Sequence, residues 1–399
     1  MPGVVRFLLV NHLVGNLAFY LLVPYLATYL TGSLGLGFAT AGVVLGIRNL
    51  SHQGLFLIGG TASDRLGPRA MILTGTTLRA VGFGLFVVAE TLPLLMVAAV
   101  LSGVAGALFN PAVRSYLALE AGTQRIEAFA LFNVFGQGGA LLGPVLGAGL
   151  AALDFRISAA TATCVFALLV LLQARMLATR PVEHTSTSII ADWAQLVRDR
   201  RFVAFALALS GLYSLQNQLY FVIPADVERL TGGSGGVAVV FVAATTVTIL
   251  FQVRLSRRLS RSPDRGPAMA VGLAFAGLAF AAPPLTGHLV HGPVLGILPV
   301  LVTGLGLSAG VMLAQPFAYE LISDFGDERT TGTRFGFFYL ASGLIAAIST
   351  AVIGLVTDLW GPVAGDLICA AIGGVCALAV WQLHRCGWLP ARQPGEVRR

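Results

Sequence analysis

Residues 60–69 read GTASDRLGPR and break the chain between two long apolar segments, 37–59 and 70–89. Each flanking segment is about 20 residues long, which is the length of a helix that crosses the hydrocarbon core of a bilayer. The break itself contains an Asp-Arg pair and a Gly-Pro pair, and Gly-Pro is a strong turn signal. The stretch therefore predicts a tight turn between two antiparallel transmembrane helices.

The same pattern recurs along the whole chain. Of its 399 residues 56% are hydrophobic and only 11% charged, and the mean hydropathy is +0.83. Soluble domains carry about 25% charged residues, so the composition excludes an ordinary soluble enzyme, a coiled coil and a nucleic-acid module. The runs are continuously apolar, which favours an all-α integral membrane protein over a barrel. Breaking them at Gly, Pro and charge clusters predicts twelve helices, at 7–30, 37–59, 70–89, 94–115, 127–152, 157–178, 202–225, 236–255, 268–286, 293–316, 334–357 and 364–385.

The longest connection divides the chain into two halves of six predicted helices. A shift of 205 residues superposes Pro111 on Pro316 and Phe132 on Phe337. Duplicated halves with a binding site between them are the architecture of an alternating-access carrier. We expect an N-terminal bundle at 1–178, a cytoplasmic linker at 179–201 with a short amphipathic helix at 192–198, a C-terminal bundle at 202–386 and a basic tail at 387–399.

The positions of the basic residues predict the orientation. All 25 are arginines, and all but Arg48, Arg79, Arg156 and Arg229 fall on one side of the predicted helices. Cytoplasmic loops carry the excess of basic residues, so we expect both termini in the cytoplasm of a multi-pass plasma-membrane protein. The net charge of +7 is then a topology signal, and we expect no nucleic-acid partner. The four cysteines have no metal-ligand spacing, and we expect no metal and no cofactor.

The charged turn has residues suited to a conformational latch. Gly60 would let helices approach, Asp64 can accept hydrogen bonds from a helix N-terminus, and Arg65 and Arg69 can pair with acids. The alternative is a solvated turn with ordinary cytoplasmic charges.

The turn resembles the signature between helices 2 and 3 of the major facilitator superfamily, G-x-x-x-D-R-x-G-R-R/K, with Pro68 where a basic residue is usual. The resemblance implies two pseudo-symmetric six-helix bundles and a latch that also includes Gly67.

The fifth predicted helix contains Gly139, Gly143, Pro144 and Gly147. The spacing places the three glycines on one face, where a neighbouring helix can pack closely, and the proline is expected to kink the helix. The pattern is similar to the G-x-x-x-G-P-x-x-G motif of proton-coupled drug exporters, which implies export. Residues 45–54 and 78–83 further resemble bacterial multidrug-resistance exporters of the MdtH type.

Polar residues inside the helices are candidates for a substrate cavity. A charge at bilayer depth costs at least about 2.5–3.5 kcal/mol, so it normally faces a cavity or a partner. Helices 1 and 7 carry polar stripes, and they line the central cavity in the superfamily. The alternative is hydrogen bonding that stabilises helix packing. The expected cavity residues are Asn16, Tyr20, Arg48, Asn49, Arg79, Tyr213, Gln216, Asn217 and Tyr220, with Asn133, Gln137 and Gln315 undecided.

The proton-coupling group is harder to predict because every acid falls at a helix end or in a loop. Many drug/proton antiporters of the superfamily keep a carboxylate in helix 1, where this chain has Asn11 and His12. Histidine titrates near neutrality, so His12 and His52 are the candidates, with Glu320, Asp226 and Asp366 as weaker ones. Without a buried acid, an arginine-lined cavity also suits an anionic or zwitterionic substrate.

These observations predict a monomeric secondary transporter in the lipid bilayer that exports small amphiphilic molecules by proton antiport. A proton-coupled importer of a small metabolite or anion is the alternative. The sequence has no HExxH, DxD or serine-elbow pattern of an enzyme. It has no phosphate-binding loop either, and no lysine to complete one, which excludes an ATP-driven pump.

Overall fold

The computed structural model describes residues 2–179, 196–259, 265–290, 292, 294–325 and 331–390, and in these ranges it consists of helices and their connections, without a strand. The expected linker helix at 192–198 and the basic tail lie mostly outside the described residues. The helices are α1 (Gly3–Thr28, continued by a π-helical turn to Ser33), α2 (Phe38–Gly54), α3 (Phe56–Leu66), α4 (Pro68–Val88), α5 (Leu92–Ala121), α6 (Arg125–Ala151), α7 (Phe155–Met176), α8 (Arg200–Asn217), α9 (Val222–Thr231), α10 (Gly235–Leu259), α11 (Arg265–Leu278), α12 (Ala282–Thr286), α13 (Ile297–Asp324), α14 (Thr331–Trp360) and α15 (Pro362–Arg385).

Ten spans in the described ranges are long and apolar enough to cross a membrane as helices. The other two predicted segments, 37–59 and 202–225, are each a pair of helices. The second is interrupted by a 3₁₀ turn at Gln218–Tyr220, just before Pro224, which has no N–H for the helical ladder. The predicted helix at 268–286 is likewise interrupted at Ala279–Ala281, before Pro283 and Pro284. The all-α fold class is confirmed, and the segment 268–286 lies within one of the ten spans, Arg265–Thr286. The segments 37–59 and 202–225 were predicted as single helices, and this is wrong.

Most spans pack within their own half, and two helix pairs make the main contacts between the halves. These pairs are α2 with α14 and α6 with α10. Each pair combines the second span of one half with the fifth span of the other, as the internal repeat requires. The interface is therefore pseudo-symmetric.

The apolar core is joined at one side of the molecule and divided at the other. We call the side where α1 begins the proximal face and the side where α1 ends the distal face. Near the distal face one buried cluster contains residues of both halves, such as Leu26, Phe83, Phe221 and Ile353. Near the proximal face the halves have separate cores. The halves are thus packed together on the distal side.

Large apolar side chains cover the outside of the spans. Leu146, Leu171, Phe251 and Phe275 are each about half exposed. Such an exterior is unfavourable in water and matches the hydrocarbon of a bilayer.

Candidate functional site

A cavity of about 410 Å³ lies between the two halves. Its volume is in the range that holds drug-sized ligands. Helices α1, α2 and α6 line it from one half and α8, α10 and α13 from the other. Seven of the expected cavity residues line it, namely Tyr20, Arg48, Asn49, Tyr213, Gln216, Asn217 and Tyr220, together with Gln315.

A second cavity of about 370 Å³ adjoins the first inside the N-terminal half. It is lined by the two remaining expected residues, Asn16 and Arg79, and by His12, Asn133 and Arg114. The two cavities share Phe19, Tyr20, His52 and Gln137. Neither is lined by a described aspartate or glutamate, so the charged groups along both are cationic.

Arg48 and Arg79 both face the ring of Phe19. The Arg48 Cζ lies 4.9 Å from the ring centroid and the Arg79 Cζ 5.6 Å. Arg79 also lies over Phe109 and Phe166, at 5.4 and 5.5 Å. Such cation–π contacts stabilise a desolvated guanidinium by about 2 kcal/mol. Sequence analysis missed Phe19, because an aromatic residue in an apolar run carries no polar signal.

The two candidate histidines are held by amide side chains. The Asn110 Nδ2 lies 3.0 Å from the His52 Nε2. The His12 ring stacks on Phe132 at a centroid distance of 3.6 Å, and Asn16 Nδ2 lies 3.2 Å from its Nδ1. Glycine at position 106 leaves room for both His52 and Arg79. A Cβ there would stand 2.7 Å from His52 Cδ2 and 3.2 Å from Arg79 Nη2.

Two tyrosine contacts border the central cavity. The Tyr220 hydroxyl lies 3.4 Å from that of Tyr20 and connects the two halves. The Tyr213 hydroxyl lies 2.9 Å from that of Tyr319 within the C-terminal half. Although the 3₁₀ turn interrupts the helix, the stripe from Tyr213 to Tyr220 still lines the cavity.

The glycine face of α6 packs directly on α1. A Cβ at Gly139, Gly143 or Gly147 would stand within about 2.5 Å of Leu13 O, Tyr20 Cβ or Leu21 O. The Tyr25 hydroxyl donates to the Pro144 carbonyl at 2.5 Å. The backbone remains helical through Pro144.

The charged turn is held inside its own half. Gly67 has a φ of +88°, which favours glycine, and Arg69 donates to the Ala174 carbonyl at 3.0 Å and to Thr179 Oγ1 at 3.3 Å. Arg65 is exposed, and the Asp64 side chain lies outside the described part of the structure.

The close helix approach expected at Gly60 is instead at Gly59. A Cβ at Gly59 would overlap the Ala107 carbonyl of α5, whereas a Cβ at Gly60 would meet nothing within 4 Å. Successive residues of an α-helix are rotated by about 100°, so Gly59 faces α5 and Gly60 points away from it.

Two acids that the sequence placed at helix ends are buried near the distal face. Asp226 and Asp366 are 2% and 0% exposed, and Arg229 Nη2 lies 2.5 and 3.5 Å from their carboxylates. Only tertiary packing brings α9 and α15 together, so no sequence signal marks this pair. The third weak candidate, Glu320, pairs with the buried Arg265 at 3.3 Å.

Comparison with known proteins identifies the family. The family model described as Major Facilitator Superfamily matches residues 8–349, and the chain therefore belongs to this superfamily of transporters. The chain is 38% identical over 358 residues to the uncharacterized MFS-type transporter Rv0849 of Mycobacterium tuberculosis. The matched region covers 88% of this chain and 84% of that protein. It is 28% identical over 382 residues to the multidrug resistance protein MdtH of Klebsiella pneumoniae, covering 94% and 92%.

Solved structures share the fold. A POT family transporter in complex with 5-aminolevulinic acid superposes with a TM-score of 0.81 at 16% identity and covers 97% of each chain. A mutant of the nucleoside transporter NupG gives 0.77 at 16% identity and covers 96% of this chain and all of its own. At this identity the likeness concerns the fold alone.

Proposed function

We propose that the protein exports small amphiphilic molecules by proton antiport, as a monomer in the plasma membrane. The observation that carries the proposal is the cavity of about 410 Å³ between the halves, lined by aromatic, amide and guanidinium groups from both. A site shared by two rigid bundles can be exposed to either side when the bundles rock.

The core packing supports alternating access. The halves share one core at the distal face and have separate cores at the proximal face. The arginine distribution predicts that the proximal face is cytoplasmic. With that orientation, the cavity is closed toward the outside and placed to accept a molecule from the cytoplasm or the inner leaflet.

Two features support export over uptake. The glycine–proline pattern of α6 matches the exporter motif and packs tightly on α1, which would seal the path against ion leak. The relatives named MdtH are described as multidrug resistance proteins. We assign His12 and His52 as the candidates for proton coupling and the turn at 60–69 as the latch.

Proteoliposomes test the direction and the coupling. We expect an imposed inward proton gradient to drive amphiphilic dyes out of vesicles that contain the protein, with proton uptake in parallel. Asp64→Asn should abolish transport while the protein is still expressed. Accumulation of substrate together with protons inside the same vesicles would refute export.

Uptake of a small anionic metabolite is the second candidate. Arg48 and Arg79 favour it, because two arginines without acids suit an anion in either direction of transport. A resistance screen in a drug-sensitive host separates the candidates, since only an exporter would protect the cells.

A further inference from the structure

Elsewhere in the described structure, buried charged groups such as Arg265, Asp226 and Asp366 have partners of opposite charge. Arg265, which is 4% exposed, pairs with Glu320 and Asp324. Arg229 pairs with Asp226 and Asp366. These pairs follow the general rule that a buried charge is stable only when an opposite charge compensates for its lost hydration.

Arg48 and Arg79 depart from that rule. Arg48 is only 8% exposed, and within the described residues neither guanidinium has an ion pair or a hydrogen bond. The Nε atoms of both are fully buried and unpartnered. Since both arginines lie against the same ring of Phe19, two like charges also stand close together. Cation–π contacts offset only part of this cost.

The two guanidiniums border the shared space of the two cavities. Arg48 lines the central cavity, Arg79 lines the adjoining one, and Phe19 lies in the wall of both. Neither cavity has an acidic lining residue among those the structure describes. A negative group that enters there would therefore find two cations and no repulsive carboxylate.

The opposite wall of the central cavity has no charged group among the described lining residues, and it combines amide, hydroxyl and apolar side chains. Leu219, Leu307, Val311 and Met312 of the C-terminal half line it. A ligand in the central cavity can therefore place a charged end toward the N-terminal half and an uncharged end toward these apolar side chains and the amides beside them in the C-terminal half.

We propose that Arg48 and Arg79, with Phe19 between them, form a binding site for the anionic group of an amphiphilic ligand, such as a carboxylate, sulfonate or phosphate. This inference rests on the proposed function and specifies the substrate class at that same site. The anion compensates both guanidiniums, because an anionic group with two or more oxygens can accept hydrogen bonds from both.

A matched pair of dyes tests the site without any transport. Anilinonaphthalene sulfonate carries a negative charge, and N-phenylnaphthylamine is its neutral counterpart. Binding of each is measured by fluorescence on the full-length protein in nanodiscs of neutral lipid, with empty nanodiscs as the blank. We expect Arg48→Gln and Arg79→Gln each to weaken sulfonate binding by about tenfold or more, because hydrogen bonds to charged groups are lost. Binding of the neutral dye should change less than about twofold.

Two further variants distinguish loss of the anion site from a general effect on folding or surface charge. Arg48→Lys keeps the charge and should retain more sulfonate affinity than Arg48→Gln. Arg254→Gln removes an exposed arginine of α10, which donates to the Leu250 carbonyl of its own helix, and should affect neither dye. Equal loss of both dyes in Arg48→Gln, or unchanged sulfonate binding, would overturn the proposal.

A competition measurement with the same dye distinguishes two sources of the anion, a lipid headgroup and a soluble small molecule. Competition by short-chain phosphatidylglycerol would identify a lipid headgroup as the ligand, and competition by soluble aromatic carboxylates alone would identify a small molecule. Either competition supports the anion site, whereas no competition by any anion contradicts it.

The anion site and the proposed function can fail separately. Anion-selective binding without export in vesicles would refute the proposed function and still support this site. Export of neutral or cationic dyes without anion selectivity would support the proposed function and refute the anion site.

Discussion

The carboxylate of Asp358, near the end of α14, accepts hydrogen bonds from the backbone N–H groups of Phe38 and Ala39, at 2.8 Å each. Asp358 belongs to the C-terminal half, and the two N–H groups begin α2 in the N-terminal half. The first N–H groups of a helix have no partner inside the helix and favour a negative charge. A side chain of one half thus caps a helix of the other, at the face where the halves share a core.

We predict that Asp358→Ala favours opening of the distal face. Loss of an N-cap costs about 0.5–2 kcal/mol, which corresponds to a shift of roughly 2- to 30-fold in the population of the open form. Spin labels at Ser33 and Trp360, in a variant without the native cysteines, would report the distance between the halves by electron paramagnetic resonance.

Asp154 provides the matched control. It caps α7 through the Arg156 N–H at 2.8 Å, within a single half. Asp154→Ala should therefore leave the distance distribution unchanged, and Asp358→Asn should preserve the closed form. Identical distances in Asp358→Ala and the wild type would contradict the role of this contact.

The buried acid pair predicts a specific loss of stability and a rescue. Arg229→Gln leaves the buried Asp226 and Asp366 without their partly exposed cation, and leaving a buried group unpaired costs about 1–3 kcal/mol. We expect a clear fall in the melting temperature of the purified protein, partly restored by adding Asp366→Asn. Arg156→Gln breaks an exposed pair with Glu90 and should change the melting temperature little. Equal melting temperatures for Arg229→Gln and Arg156→Gln would rule out this account.

Two glycines of α6 give opposite predictions for the same substitution. A Cβ at Gly143 would stand 2.5 Å from Tyr20 Cβ and 2.9 Å from the Leu17 carbonyl, so Gly143→Ala should destabilise the protein by about 1–3 kcal/mol. A Cβ at Gly149 would meet nothing within 4 Å, so Gly149→Ala should stabilise it by up to about 1 kcal/mol through helix propensity. Thermal unfolding followed by size-exclusion chromatography distinguishes them, and destabilisation by both variants would contradict the packing shown here.

Hydropathy predicted the fold well, because membrane insertion depends on length and apolar content, which can be counted along the chain. It predicted the ends of helices less well. Helix α5 continues to Ala121 and α13 to Asp324, past the predicted ends at 115 and 316. Backbone hydrogen bonding does not stop where the apolar run stops, and so hydropathy underestimates helix length.

Residues that line a cavity could be proposed from the sequence, because a polar side chain at bilayer depth normally faces a cavity or a partner, and their contact with a substrate stays a prediction. All nine expected residues line one cavity or the other. The buried pair of Asp226 and Asp366 was not predictable as a pair, since its two members are far apart in sequence and meet only through packing of α9 and α15. The Asp358 cap was missed for the same reason.

The last prediction concerns proton coupling at His52. If the Asn110 Nδ2 donates to His52 Nε2, that nitrogen must be unprotonated, and protonation of the ring requires the Asn110 amide to turn its oxygen toward it. His52→Gln removes the titrating group while keeping a polar side chain. We expect it to retain exchange of substrate across vesicles without a gradient and to lose accumulation driven by a pH gradient. His288→Gln, at an exposed histidine on the distal face, should behave as the wild type. Gradient-driven transport that persists in His52→Gln, and likewise in His12→Gln, would exclude both histidines as the coupling group.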